Sequence, residues 1–427
     1  MSQAENSASP QRALHFLYST YERYPADRVD LTELFSRLLV DRGHRIVWHM
    51  QRGDAGRAGV KRPSDRERVL LGEAVKGRGL VGALVNKLAA LRHDLRLTQA
   101  VAAAPYRFVQ VRDKAFAGLV ALRAARRAQL PFFYWMSYPY GESDLLRASD
   151  RALVPARTKR AILYLRGCLN EWLLYRVVLP GADHVFVQSE QMKRDLAGRG
   201  IEERKMTAVP MGFSLRAQEM LTLPALEEPR LVGRAPLVYV GTLVRERRLD
   251  FLFHVLARVR ERMPEALLVL VGDAPAADLS YLQQQARRLG VDQHVLFTGW
   301  LPMPHAWAYI RAARVCLSPF RPVSVLRSTS PTKLLEYLAW QRPVVASEHP
   351  EQTKILEESR AGLSVKHTPE AFAGAVVELL ENPVRAAAMG ARGLCYVREQ
   401  RSYEALARKL EARYFEILSG APHPGAR

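Results

Sequence analysis

Apolar residues along the chain fall into short runs, each followed by a stretch where apolar positions recur every three or four residues. ALHFLYS (13–19), RIVWHM (45–50), FVQV (108–111), FFYWM (132–136), HVFVQ (184–188) and MTAVP (206–210) are of the first kind and predict strands. LTELFSRLLVDRGH (31–44), KAFAGLVALRAARRAQ (114–129), TKRAILYLRGCLNEWLLYRVVL (158–179) and EQMKRDLAGRG (190–200) are of the second kind and predict helices. This βα rhythm predicts a parallel sheet with helices on both faces.

Residues 215–236 carry prolines and no clear strand, and read as a linker. The rhythm then restarts. LVYV (237–240), ALLVLVG (266–272), HVLFTG (294–299), VCLSP (315–319), PVVAS (343–347) and GLSV (362–365) predict strands. DFLFHVLARVRERM (250–263), DLSYLQQQARRLG (278–290), PTKLLEYLAW (331–340) and EAFAGAVVELLE (370–381) predict helices, and YEALARKLEARYFEILS (403–419) predicts a last one. The expected architecture is α/β with two doubly wound, Rossmann-like domains. One covers 1–214 and the other 237–400, joined by the linker 215–236. The segment 401–427 is expected to cross back to the first. Such sheets bind ligands outside the carboxyl ends of their strands, so the cleft faced by the two domains is the expected site.

Composition agrees with a globular chain: of 427 residues, 48% are hydrophobic and 25% charged. Cys168, Cys316 and Cys395 are far apart and odd in number, which excludes a disulfide scaffold and a CxxC zinc site. No run approaches a transmembrane helix, and the polar start MSQAENSASPQR lacks a signal-peptide core. A cytoplasmic location is expected.

Charge changes the picture more. The formal net charge is +20, and +11 of it lies within residues 55–128. This excess surrounds LVGALVNKLAALRHDLRL (80–97), where apolar positions at helical spacing alternate with Lys76, Arg78, Lys87, Arg92 and Arg96. A basic amphipathic helix suits an anionic lipid surface at the inner face of a membrane. Aromatics are not interleaved with the basic residues and no nucleic-acid-binding motif occurs, so nucleic acid is not an expected partner.

The most informative stretch is STSPTKLLEYLAWQRPVVAS (328–347). Ser330 is a suitable helix N-cap and Pro331 a suitable first residue, with Thr332 and Lys333 in the first turn. A helix N-terminus beside a lysine suits a diphosphate. Glu336 shares a helix face with Lys333 and could accept hydrogen bonds from two vicinal hydroxyls, as on a ribose. Phosphate with ribose describes a nucleotide; the alternative is an ordinary Ser-Pro helix start with a surface Lys–Glu pair. No GxSxG elbow, GxxxxGK[ST] loop or HExxH spacing occurs, so serine hydrolase, P-loop NTPase and zincin chemistry are unsupported.

This stretch resembles the donor-site signature of the family 4 glycosyltransferases of the GT-B fold, in the form SPxKxxEY. LVYVGTLVRERRLDFL (237–252), LLVLVGDAP (267–275), VLFTGWLP (295–302) and PMGF (210–213) are similar to other family segments. The resemblance implies retaining transfer of a hexose from a UDP- or GDP-sugar, without a metal or other cofactor. Lipid-linked or polysaccharide acceptors in envelope or exopolysaccharide synthesis are implied. It further implies ribose binding by Glu336 and diphosphate binding by Arg247 and Lys333. Gly241, Thr242, Gly272, Ser328, Ser330, Pro331 and Thr332 would border the donor, with Asp273 and Leu301 near the base. Two departures stand out. The family's first glutamate is Ser328 here, and its first-domain histidine is Ser137. Ser137, Tyr138 and Arg112 are the candidates near acceptor or sugar; Arg112 and Asp113 close the strand FVQVRD at the cleft end, with capping of the following helix as the alternative for Asp113. The alternatives are a nucleotide-sugar epimerase of the same fold and a non-catalytic partner subunit.

Overall fold

The computed structural model describes residues 13–75, 79–151 and 154–420. Contacts divide the chain into two compact units. Among the described residues, the first holds those up to Gln188, Met192–Val209 and 407–420; the second holds Ser189–Gln191 and Pro210–Leu406.

The first unit is built on an eight-stranded sheet. Its strands are β1 (His15–Tyr24), β2 (Arg45–Arg52), β3 (Gly59–Ser64), β4 (Glu67–Leu71), β5 (Phe108–Arg112), β6 (Phe132–Met136), β7 (His184–Val187) and β8 (Met206–Ala208). The order is β3-β4-β2-β1-β5-β6-β7-β8, parallel except for the β3–β4 hairpin at one edge. Alternation along the strands sorts side chains to two faces. Leu17, Val109, Val111, Tyr134 and Val185 enter one core with α2 (Leu97–Ala102) and α3 (Ala115–Arg127). α1 (Gly79–Leu95) precedes α2, while α4 (Tyr140–Ser149) and α5 (Arg157–Leu173) follow β6. Phe16, Phe108, Phe133 and Phe186 gather around Tyr414 instead, Phe133 stacked, Phe186 edge-on and the other two tilted.

The second unit carries six parallel strands. They are β9 (Ala235–Val240), β10 (Ala266–Val271), β11 (Val295–Gly299), β12 (Val315–Ser318), β13 (Val344–Ser347) and β14 (Gly362–Val365). The order β11-β10-β9-β12-β13-β14 reverses direction between β9 and β12, and this is its topological switch point. The helix after it, α6 (Thr332–Ala339), buries Leu334, Leu335 and Leu338 against the sheet. Residues 215–236 are not bare linker, since Leu215–Met220 forms a short helix capped by the Ser214 hydroxyl.

The final helix, α7 (Tyr403–Gly420), is anchored in the first unit by Glu411. The Glu411 carboxylate accepts from Arg42 and from His44 Nε2 at 2.8 Å, and is 3% exposed. Glu411→Ala strips two donors of their acceptor and is expected to cost about 2 kcal/mol in urea unfolding. A cost below a few tenths would show that the anchor is idle.

Candidate functional site

At the switch point, β9 is followed by Gly241 and β10 by Gly272, with φ of +141° and +143°. Both backbones run so close that a Cβ on Gly272 would lie 2.0 Å from the Gly241 carbonyl oxygen. Only glycine fits there. The loops are joined by the Leu243 N–H donating to the Asp273 carbonyl at 2.9 Å.

α6 is held over these loops by Tyr337. Its hydroxyl accepts from the Val240 N–H at 2.9 Å and donates to the Leu317 carbonyl at 3.4 Å. This anchor at the ends of β9 and β12 aims the first turn of α6 at Gly241. Lys333 then sits with its Nζ 3.8 Å from the Tyr239 ring centroid and 5.7 Å from that of Phe320. Arg247 also lies near the Phe320 ring, with its guanidinium carbon 5.9 Å from the centroid. Lys333 and Glu336 keep partial surface exposure but are densely surrounded by protein. Burial, and then Arg247, push the Lys333 ammonium well below its ordinary range, with Glu336 opposing. Burial raises the Glu336 carboxyl, against the Trp307 indole and Lys333. Two basic side chains, with Glu336 nearby, thus converge on the glycine backbone. An incoming polyanion is the group this arrangement suits.

The structure brings Gly241, Gly272, Arg247, Lys333 and Glu336 together. Pro331, rather than Ser330, occupies the cap of α6, and the Ser330 hydroxyl accepts from the Met211 N–H at 3.1 Å instead. That corrects the expected N-cap: the serine is diverted to a long-range partner. Ser328 is buried, and its carbonyl accepts from the Ser189 hydroxyl at 2.6 Å. Thr242 is exposed, Thr332 is exposed, and Leu301 is half-buried at the border of a core cluster. Tyr239, Trp307, Phe320 and Tyr337 were not singled out from sequence. The EY pair in the signature was the available signal for Tyr337.

A second polar cluster lies at the carboxyl ends of β1, β5 and β6 in the first unit. Arg112, 1% exposed, donates to Asp30 at 2.6 Å and to Asp113 at 3.3 Å. Arg28 donates to the same Asp30 at 3.1 Å. Burial alone would raise the Asp30 carboxyl, but Arg112 and Arg28 together hold it below the usual range. Asp113 adopts φ +57° and does not cap α3; it accepts from the Ser137 N–H at 2.7 Å and from the Ser137 hydroxyl. Its carboxylate is drawn to the residue after β6, which removes the capping alternative and leaves Asp113 at the strand end beside Arg112. Tyr138 donates to Ser143 at 3.3 Å and packs edge-on to Tyr140. The structure therefore groups Arg112 with Ser137, through Asp113, and sets Tyr138 in an adjoining tyrosine cluster.

On α1, Lys87, Arg92 and Arg96 (just past its end) are exposed, as are Leu84, Leu88, Leu91 and Leu95. Lys76 and Arg78 lie outside the described residues. No helix among the described residues is long and apolar enough to cross a membrane.

Two Rossmann-like sheets, one with a close-packed glycine pair at its switch point, define an α/β protein of the GT-B fold. Sucrose-phosphate synthase from Thermosynechococcus elongatus shares this fold, with a TM-score of 0.69, 18% identity, and coverage of 95% of this chain and 100% of that one. Anabaena HepE in complex with UDP matches with a TM-score of 0.63 at 14% identity, covering 94% of this chain and 100% of that one. Residues 32–212 match the glycosyl transferase 4-like domain and residues 234–382 match glycosyl transferases group 1. The chain belongs to the family 4 glycosyltransferases. A GDP-mannose-dependent alpha-(1-6)-phosphatidylinositol monomannoside mannosyltransferase of Mycolicibacterium smegmatis is 32% identical over 193 residues, 44% of this chain and 49% of that protein. Alpha-monoglucosyldiacylglycerol synthase of Streptococcus pneumoniae is 24% identical over 276 residues, 62% of this chain and 56% of that protein. The chain thus spans about half the length of the relatives it matches.

Proposed function

We propose that the protein is a hexosyltransferase that takes a hexose from a UDP- or GDP-sugar and transfers it, with retention, to a lipid-linked or glycan acceptor. The observation that carries this reading is the enclosed Lys333 ammonium. It faces the Gly241 backbone, with Arg247 beside it and Glu336 one turn further along α6. The diphosphate would lie against Lys333, Arg247 and the first turn of α6. These groups meet the charge that develops as the leaving group departs, so no resident metal is invoked. Glu336 would hold the ribose hydroxyls, and Gly241 and Gly272 would admit the donor close to backbone. Ser328, lacking a carboxylate, can contact the sugar only as a neutral group. In the first unit, Arg112, Ser137 and Tyr138 would border the acceptor or the sugar. The names of the two relatives, which act on a phosphatidylinositol mannoside and make a glucosyldiacylglycerol, support a lipid-linked acceptor and a role in envelope glycan synthesis.

Donor turnover should be measured across nucleotide sugars with wild type and Glu336→Ala. Turnover of one UDP- or GDP-sugar, reduced about tenfold to a hundredfold in the variant, is expected from loss of a charged hydrogen-bond acceptor. Absence of any nucleotide-sugar turnover or binding would overturn the enzyme reading, and an unaffected variant would overturn the role of Glu336.

We propose in addition that α1 docks the protein on the inner face of the membrane through Lys87, Arg92 and Arg96, with Lys76 and Arg78 adding charge. Replacing all five by Gln is expected to weaken binding to anionic vesicles, and salt should do the same. Salt-insensitive binding equal to wild type would exclude this surface.

A further inference from the structure

The exposed face of α5 has no role in the readings above. Ile162, Leu165, Leu169 and Trp172 follow one another at helical spacing and form one stripe. They are 64%, 71%, 60% and 60% exposed. This is a large apolar content to leave in water along one helix. The opposite side of α5 explains how the helix stays attached. Leu163, Gly167 and Leu173 are buried there, and Gly167 lets α4 come so close that a Cβ would lie 2.8 Å from Leu145. The outward stripe is therefore not needed for packing within the unit.

The rim of the stripe is basic at its start: Arg157 and Lys159 are exposed along it, while Arg166 is paired with Asp144 and the one acidic residue of α5, Glu171, is paired with Arg199 at 2.8 Å. The neighbouring layer repeats the pattern. α1 and α5 each pack against α3, and α1 also exposes leucines beside basic residues.

We infer that the α5 stripe is a second lipid-docking element, which inserts apolar side chains into an anionic bilayer surface while Arg157 and Lys159 meet the headgroups. The inference rests on the membrane reading of α1 and extends it to a separate helix. A basic rim is complementary to an anionic surface and would repel the same rim on a second copy of the chain. Trp172 at one end of the stripe suits the headgroup level, where an amphipathic ring is favoured.

The test is flotation with phosphatidylglycerol–phosphatidylcholine vesicles and with phosphatidylcholine alone. The proteins are wild type, Leu165→Ser/Leu169→Ser, and the α1 variant with Lys87, Arg92 and Arg96 changed to Gln. The α5 variant should keep wild-type donor turnover in solution, which certifies its fold, and lose about tenfold or more in partitioning to anionic vesicles. Trp172 gives a readout that needs no disruptive change: vesicles should shift its emission to the blue, and Trp172→Phe should remove that shift. If the α5 variant binds like wild type and the α1 variant does not, the α5 inference falls and the membrane reading survives. If wild type binds no vesicle, both fall. If the α5 variant changes only the oligomeric state by light scattering, the stripe is an interface between copies and the inference is overturned.

Discussion

Lys333→Ala is expected to lower kcat/KM for the nucleotide sugar by about a hundredfold to a thousandfold, the scale of losing one preorganised electrostatic group from an enclosed site. The geometry explains why so much rests on one side chain. Its Nζ lies over the Tyr239 ring and close to the Gly241 backbone, and a Cβ at Gly241 would be 3.1 Å away from it. Lys333→Arg should rescue part of the loss, because charge is kept while the compact ammonium is replaced by a wider planar group. The pH dependence separates this role from a structural one. Burial and Arg247 hold the free lysine well below its ordinary range. The cation is therefore present at low pH and lost as pH rises through that depressed value, where an ordinary lysine would still be charged. Diphosphate brings negative charge and favours the ammonium, so binding should take up a proton. Nucleotide affinity should accordingly fall with rising pH in wild type, with proton uptake visible by calorimetry in buffers of different ionisation enthalpy. The arginine variant should lose this dependence. A pH-independent affinity in wild type, or equal turnover in Lys333→Ala, would remove Lys333 from the diphosphate site.

The strands that carry this site could be read along the chain because they are buried on both faces and appear as unbroken apolar runs. β9 and β10 are of this kind. The edge hairpin was not readable: β3 is exposed at every position and contains Pro63, so it lacks both an apolar run and alternation. That Lys333 and Glu336 lie on one helix face was readable because their relation is local, one turn apart; the roles proposed for them came from the family resemblance. The cluster around Arg112 was not, because its partner Asp30 is 82 positions away and is brought near only by the pairing of β1 with β5. Ser330 failed as a cap, and the capping alternative for Asp113 fell away, for a related reason. Each has the local chemistry of a helix cap, but a long-range donor, Met211 N–H in one case and Ser137 in the other, competes for the side chain. The α5 stripe escaped because spacing alone cannot tell a face that packs from one that stays in water.

Gly272→Ala is expected to be the most damaging single methyl addition in the second unit's site, costing about 2–4 kcal/mol in urea unfolding. Two effects add. At φ +143° an L side chain is strained, and the new Cβ would stand 2.0 Å from the Gly241 carbonyl oxygen and 2.9 Å from its carbonyl carbon. Those atoms are backbone and cannot rotate away. Relief requires the β9 and β10 loops to separate, which breaks the Leu243 N–H bond to Asp273 and moves Gly241 relative to Lys333. Stability and donor binding should therefore fall together. Gly43→Ala isolates the conformational part: Gly43 has φ +99° but nothing within 4 Å of its Cβ. Its cost should stay near 1 kcal/mol, the usual scale for glycine's freedom alone. Gly241→Ala provides the converse case. Its Cβ would meet the end of the Lys333 side chain, which can move, so stability should suffer less than in Gly272→Ala while KM for the donor rises. Equal unfolding midpoints for Gly272→Ala and Gly43→Ala would mean that the two loops do not press on each other, and the cradle proposed for the diphosphate would lose its backbone wall.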